Sequence, residues 1–566
     1  MDELLRYFEE ELGVFGGYAR EFRKRFPKPA SDLHLAGESY EDPSVARLIQ
    51  SVALLSARIH KRLDDDYPKF TESLLESLYP HYLRPLPSYS VAQLLAPGAD
   101  AFSLIARGTS LRSHPVGGTV CQFRTVYPVL AGPLRIVQAS FSVHGGAAGA
   151  RLPRGANAFI AVGFEMKGSL RELCARGLAP IRVFVEGDPS LRADLVDTLC
   201  MRASQAWVQG ADGPWLALDA VPLRLAGFGQ DEALLPLPQR SHPAFGLLTE
   251  YFSYPEKFNF IDIDLEQAAH LLAPGCTRFT VHLALSGLPL DSDAARMLSA
   301  LSPANLLLGC TPVVNLFRKG GDPIQLSHTR AEYPLAADAA HAAAFDIHSI
   351  DRVSPVRELR GASITTEFAP LYALRHGQGG DHGHFWVARR DDEALAGVSP
   401  GHEMRLALLD ADFNPGDAAG ATISTELTCT NRDLPSQLAH GLPGGDLVAE
   451  AASGSLPLRL LRRPTPSYRF GSGHGAHWRL IAHLSLNHAG LSTASLPELQ
   501  RMLALYDLAR SPVARRQIAG IGALEHGTVR AWLPTRPVAS LMPGVGIRMR
   551  VDERAFVGSG LYVFAR

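Results

Sequence analysis

The chain has 566 residues, 46% of them hydrophobic and 20% charged, with a formal net charge of −2. That length exceeds one ordinary hydrophobic core and predicts three or four domains. The near-neutral balance excludes an electrostatic footprint for nucleic acid spread over the whole chain. The six cysteines, none in a C-x-x-C pair, predict free thiols rather than a disulfide framework. Met1 to Arg6 is amphipathic and acidic, without the basic and apolar regions of a secretory signal. No apolar run approaches the roughly 20 residues of a membrane span, so the expected location is the cytoplasm.

In chain order, the first 87 residues read as helical. Leu5, Phe8, Leu12, Phe15, Ala19, Phe22 and Phe26 recur at alternating spacings of three and four, a narrow seam suited to a partner helix. Gly13, Gly16 and Gly17 each cost about 1 kcal/mol relative to alanine, so this helix needs packing to form. Arg20, Arg23, Lys24, Arg25 and Lys28 read as a solvated helix face. A second helix follows Asp42-Pro43-Ser44 and puts Val45, Leu48, Ile49, Val52, Leu55, Ile59 and Leu63 on one face. It is expected to end at Asp64-Asp65-Asp66, before Pro68. A short third helix carries Phe70, Leu74, Leu75 and Leu78 and stops before Pro80. Pro85 and Pro87 mark the boundary.

From Ser88 the texture changes to short β-like runs separated by Gly and Pro. Phe102 to Ala106, Thr119 to Val126, Leu134 to Val143, Phe159 to Met166 and Ile181 to Val185 are expected strands. Alternation continues in Phe258 to Asp264 and Arg278 to Leu283, then in Phe345 to Val353, His384 to Val387, Met404 to Leu409 and Thr422 to Thr430. Ala336 to Ala344 reads as a short helix or a surface loop. Glu498 to Leu508 reads as a helix, and Leu561 to Phe564 as a terminal strand. The expected fold class is α+β and multidomain: a bundle-forming helical region over 1–87, sandwich or barrel-like β domains over 88–330, a second β-rich domain over 331–470 and a mixed domain over 471–566.

Signals for chemistry are weak. No lysine follows a glycine, which removes the P-loop. His402-Glu403 lacks the second histidine of H-E-x-x-H. His376, Asp381, His382 and His384 lie in a glycine-rich stretch that reads as a polar loop, not a metal site. Gly471 to His477 reads as a turn between elements. Asp262 and Asp264 share a strand face opposite Ile261 and Ile263, the pattern of a half-solvated strand. The aromatic run Tyr251 to Phe260 reads as domain core. Cys310 has no neighbouring basic residue to activate it. The residues thus give no catalytic, cofactor-binding or metal-ligating assignment.

Several local blocks are more specific. Leu63-Asp64-Asp65-Asp66-Tyr67-Pro68, continuing to Leu78-Tyr79-Pro80-His81-Tyr82-Leu83-Arg84-Pro85, resembles the N-terminal signature of the TssF (ImpG/VasA) family of bacterial type VI secretion systems. So do Thr249 to Phe258, Cys310 to Phe317, Glu332 to Leu335, Ser349 to Val353, Thr428 to Pro435 and Arg479 to Asn487, in the order the family has them. The resemblance implies a non-enzymatic wedge subunit of the baseplate on which a contractile sheath and tube assemble. Its implied partners are TssG (two copies of this chain per TssG), a second copy of itself, TssK, TssE and the VgrG spike, at the inner-membrane-associated secretion complex. The helix carrying Leu5, Phe8, Leu12, Phe15, Phe22 and Phe26 is then expected to join a bundle with TssG and the second copy. Gly16-Gly17 departs from the more continuous helix of relatives, and relatives usually run on past the block ending at Tyr562, so a C-terminal contact is expected beyond Arg566. Two other classes remain open on the sequence: a component of another phage-tail-like contractile injection system, and a β-rich carbohydrate-active enzyme with paired carboxylates in a deep pocket.

Overall fold

A computed structural model describes residues 2–32, 43–95, 101–143, 152–211, 213–237, 241–327, 330–356, 367–371, 384–390, 400–410, 422–451, 454–470, 476–484, 496–533 and 540–566. The chain divides into two compact units, residues 1–79 with 471–485, and residues 80–470 with 486–566.

The first unit is helical. It contains α1 (Asp2–Arg25), α2 (Pro27–Asp32), α3 (Pro43–Leu78) and a returning helix, Ala476–Leu484. The glycines do not interrupt α1, because it runs along α3 and tertiary packing outweighs propensity in helices of this kind. The expected second and third helices are one: α3 stays helical through the acidic run and Pro68. An interior proline costs about 3 kcal/mol, and this helix contains no glycine to add to that cost. Along α3, Ala53, Ala57, Thr71 and Leu75 are buried. At about 100° per residue they fall within one narrow sector. The returning helix packs on α3, with His477 Nδ1 3.4 Å from Thr71 Oγ1 and Trp478 beside Phe70 at a ring separation of 6.0 Å.

The second unit is built from β-sheets whose described pairings are antiparallel except one. Six strands close a barrel in the order β1 (Tyr89–Leu94), β15 (Cys310–Val314), β4 (Thr119–Thr125), β3 (Ser110–Val116), β24 (Leu447–Ala451) and β25 (Gly454–Leu460). Inward positions alternate along β3 and β4, and Ala92, Leu111, Phe123, Val313, Leu447 and Leu458 fill the interior. The strands come from distant parts of the sequence, with every other sheet except the β26–β27 ladder (Ile521–Leu533 and Ser540–Val551) inserted between them.

A five-stranded sheet, β10 (Leu216–Ala217), β9 (Ala203–Gly210), β13 (Arg278–Ser286), β7 (Ala156–Met166) and β6 (Leu134–Ser142), shares the largest core with a four-stranded sheet. The latter runs β11 (Leu223–Leu225), β12 (Phe260–Ile263), β8 (Ile181–Val185) and β14 (Leu306–Leu307). Val162, Phe164, Val281 and Leu283 of one sheet meet Val183, Ile261 and Ile263 of the other in that core. A third pair of sheets consists of β16 (Phe317–Gly320), β23 (Thr422–Thr430), β17 (Ile324–Gln325) and β19 (Asp346–Val356), with β18 (Tyr333–Leu335), β22 (Met404–Asp410), β21 (His384–Arg390) and β20 (Ala369–Pro370). They bury Tyr333, Leu335, Val353, Leu406, Ile423 and Leu427 together. β20 and β21 make the parallel pair. Two hairpin-like ladders complete the unit: β2 (Ser103–Ile105) with β5 (Val129–Ala131), and β26 (Ile521–Leu533) with β27 (Ser540–Val551).

Two expectations need correcting. Leu561 to Phe564 is not a strand but leads into a short helix, Tyr562–Ala565. The Leu561 and Tyr562 N–H groups donate to the Asp197 carboxylate at 2.7 and 2.9 Å, and such N-terminal N–H groups favour the helical turn when an anion accepts them. The alternation from Phe258 is broken too: Pro255–Phe258 forms a 3₁₀ turn, and the strand begins only at Phe260. Ala339–Ala344 is 3₁₀-helical.

Candidate protein interface

The helical unit wears its apolar residues unusually. On α1, Phe8, Leu12, Phe15 and Phe22 are half-buried, while Leu5 and, just past the helix, Phe26 are exposed. Glu9, Glu10, Lys24 and Arg25 are exposed, and Arg25 pairs with Glu21 at 2.7 Å. On α3 four large side chains point away from the sector in which Leu75 is buried. Leu48, Val52, Leu55 and Ile59 are 65%, 43%, 60% and 60% exposed. Their 4-3-4 spacing makes one stripe, roughly opposite Ala53 and Ala57 at about 100° per residue. Small residues inward and a heptad-spaced aliphatic stripe outward is the face of a helix built to receive another helix. Phe70 on α3 and Trp478 on the returning helix add exposed aromatic area.

The β unit is the opposite: its charges are paired inside. Asp262 was expected on a solvated face, but the structure buries it at 2% exposure. The register sets Asp262 directly opposite Arg182 on β8 and Arg224 on β11. Arg182 Nε donates to it at 2.6 Å and Arg224 at 2.9 Å. Arg182 also pairs with Glu232 and lies over the Tyr127 ring at 4.3 Å. Burial opposes the charges, but Asp262 and Glu232 outweigh it and raise Arg182 above its ordinary value. Burial likewise opposes the Glu232 carboxylate, yet Arg182 and the N–H groups of Gly229 and Gly227 bring it below its usual range. Alternation on β12 mis-sorts Asp262, and the arginines that satisfy it sit on strands distant in sequence.

Within Tyr251 to Phe260, Phe252, Tyr254, Phe258 and Phe260 are buried as core. Lys257 is wholly buried against Glu250, whose other oxygen accepts the Leu234 N–H at 2.7 Å. Two further family-like blocks, Cys310 to Phe317 and Thr428 to Pro435, join neighbouring strands. Asn315 Nδ2 donates to Asn431 Oδ1 at 2.9 Å, and the Asn431 N–H returns a bond to Asn315 Oδ1 at 2.6 Å. Arg432 makes two bonds to Glu403, at 2.7 and 2.8 Å. Glu403 of the incomplete zinc motif is thus an ion-pair partner. Asp346 sits between Arg390 and Arg469; burial raises its carboxyl, but these arginines and Arg432 outweigh that and bring it down to about 2.

A cleft of about 740 Å³ lies beside this frame, lined by Arg135, Glu165, Lys167, Arg182, Arg224 and Asp262 among others. Asp262 is committed to its arginines, and Glu165 is half-exposed with Arg278 at 3.9 Å. Cys310, also at the cleft, has its thiol pushed well up by burial, which disfavours the reactive thiolate. Among the described residues no group of three or more His, Cys, Asp or Glu is placed to hold a metal. His376, Asp381 and His382, and Gly471 to Gly475, lie outside the described residues. His384 is on β21 beside Phe368.

The chain thus combines a multi-sheet unit whose internal charges are paired with a helical unit that exposes an aliphatic stripe, the features of a candidate scaffold subunit. The family model "Type VI secretion system, TssF" matches residues 1–566. The type VI secretion system component TssF1 of Pseudomonas aeruginosa (strain PAO1) is 31% identical over 584 aligned positions, covering 99% of this chain and 92% of that protein. A chain of the TssK-TssF-TssG baseplate subcomplex of a type VI secretion system matches with a TM-score of 0.70 at 23% identity, over 92% of each chain. A chain of a type VI baseplate complex matches with a TM-score of 0.53 at 20% identity, over 96% of this chain and 89% of that one. These two likenesses establish the fold. The chain belongs to the TssF family of type VI secretion systems, and TssF is a named component of the baseplate subcomplex above. Among the described residues, no helix is long and apolar enough to cross a membrane.

Proposed function

We propose that this chain is a baseplate wedge subunit that docks through its helical unit onto TssG and a second copy of itself, two copies per TssG. TssK and TssE complete the wedge, which surrounds the VgrG spike at the membrane-associated secretion complex. The subunit works by geometry: no bond is made or broken by its residues, and its firm β frame carries displacement between neighbours.

The observation that carries this reading is the outward stripe of Leu48, Val52, Leu55 and Ile59. Covering four such side chains is worth about 5 kcal/mol gross, enough to drive helix association once ordering costs are met. The half-buried positions on α1, Phe8, Leu12, Phe15 and Phe22, flank the same unit and extend the seam, with Leu5 and Phe26 at its ends. The relative named above occurs in a subcomplex with TssK and TssG, which supports the choice of partners.

The test is co-purification with TssG. Leu48→Asp with Ile59→Asp removes the complex while the free protein stays soluble and melts as before. Phe8→Asp with Phe15→Asp also removes it, at some cost to α1. Native mass spectrometry of the wild-type complex is expected to give two copies of this chain per TssG. Wild-type complex formation by the α3 variant ends this reading.

A further inference from the structure

Strands β26 and β27 pair from Ile521↔Val551 to Leu533↔Ser540 as a two-stranded ribbon, with no third strand among the described residues. Its root is fixed. Ile521 and Leu524 are buried, Gln500 Nε2 donates to the Ile518 and Ile521 carbonyls at 3.3 and 3.1 Å, and the Asp552 N–H donates to Gly520 O at 2.8 Å. Past the root the ribbon is open. Val529, Trp532, Leu541, Met542, Val545 and Ile547 are between 41% and 69% exposed. A lone hairpin is marginal in water, so a ribbon this long and apolar calls for a cover.

Directly opposed residues share a face. The register therefore sorts Trp532, Leu541, Val545, Ile547 and Arg530 onto one face, and Val529, Met542, Glu525, Arg548, Arg550 and three glycines onto the other. Along β27 the alternation Leu541, Pro543, Val545, Ile547, Met549 is that of a strand with one buried face, yet the fold leaves that face uncovered. Charge narrows the occupant. Residues 521–551 hold four arginines and one glutamate, and Glu525 lies 3.9 and 3.6 Å from Arg548 and Arg550, leaving positive charge in excess. A second copy brings the same excess and repels. A bilayer surface takes only about 5–10 Å of depth, which reaches the tip at Trp532 and Leu541. The apolar stripe from Leu541 to Met549 continues toward the root over about 27 Å, at about 3.4 Å per residue.

We infer that the ribbon is a second docking arm, which lays its Leu541–Val545–Ile547 face on an apolar, acid-rimmed surface of a protein in the same assembly. This rests on the reading that the chain assembles with TssG and TssK. The fixed root presents the arm pre-organised, which lowers the ordering cost of binding. The four exposed side chains of that face, Trp532, Leu541, Val545 and Ile547, offer on the order of 400 Å² of apolar surface, short of the roughly 800 Å² per partner of a self-sufficient interface, so the arm reinforces the helical contact.

The test uses the full-length chain with purified TssG and TssK. Val545→Lys with Ile547→Lys, and separately Arg530→Glu, are each expected to weaken assembly about tenfold or more with the melting temperature unchanged. Wild-type affinity falls as salt rises from about 0.05 to 0.5 M, and amide exchange over 521–551 slows in the complex. A complex that forms with unchanged affinity in both variants and unchanged exchange over the ribbon overturns the arm and leaves the helical contact standing. Failure of the wild-type chain to bind TssG and TssK ends both readings. Ribbon-dependent self-association in sedimentation, or ribbon-dependent pelleting with phosphatidylserine vesicles, overturns it in favour of the other occupant.

Discussion

The helical and β units solve the burial problem in opposite ways. In the helical unit Ala53 and Ala57 face inward, while Leu48, Leu55 and Ile59 face outward. In the β unit Phe164, Phe184, Phe258 and Phe260 are fully buried, and Lys257, Glu250 and Asp262 go inside with partners. A surface left apolar waits for another protein, whereas a charge taken inside with its partner fixes one arrangement of the strands around it. The difference teaches where each unit places its apolar residues: the helical unit leaves a stripe of them exposed, while the β unit, its β26–β27 ribbon excepted, buries them in its sheets.

Substitutions break this contrast most sharply in the β unit. Lys257→Ala strands Glu250 beneath the surface and is expected to cost about 3–5 kcal/mol, read as a lower denaturant midpoint. Leu55→Gln, equally drastic in hydropathy, is expected to leave the free protein within about 0.5 kcal/mol of wild type and to show its effect only in assembly.

Acid sharpens the contrast next. Burial, with a smaller push from Arg84, lowers His348 to about 3 and His81 to about 4. Their folded values lie below the unfolded value of about 6.5, so the unfolded chain takes up protons first as pH falls. Their contribution is complete above about 6.5 and is lost on the way to 4 and 3, at about 1.4 kcal/mol per pH unit per histidine. Asp346 behaves later: its carboxyl, held at about 2, contributes above its unfolded value of about 3.9 and fails as pH drops through 2. Denaturant melts at pH 7, 6, 5 and 4 are expected to show a slope that His348→Phe flattens by about 1.4 kcal/mol per unit. That variant also starts lower, since His348 Nδ1 donates to the Pro85 carbonyl at 2.9 Å. A further stability effect belongs to the buried sector of α3. Ala57→Leu overfills the buried sector of α3 and is expected to cost about 1–3 kcal/mol, read in thermal melts.

Much of the fold was legible because period and punctuation carry it. Ile181–Val185 and Thr422–Thr430 coincide with their expected ranges, since β-branched runs bounded by turn residues admit few other readings. The seam on α1 was visible in its 3-4 spacing. The misreadings share a cause: the deciding partner lies far away in sequence. Pro68 signals a stop when read locally, yet α3 continues. Asp262 reads as solvated until Arg182 and Arg224 arrive on neighbouring strands. Leu561 to Phe564 alternates like a strand, and Asp197 turns it into a helix. The inward and outward faces of α3 were equally hidden, because period alone gives a stripe and not the side it will face.

One consequence of the divided helical unit concerns the order of events during synthesis. The helix Ala476–Leu484 that packs on α3 is translated almost four hundred residues after it. At about 5–20 residues per second, α1 and α3 emerge from the ribosome and wait on the order of 20–80 s for their missing neighbour, aliphatic stripe bare. A nascent chain in that interval meets chaperones or a freshly made companion before it meets its own end, so the timing of translation helps decide whether the first contact made is a productive one.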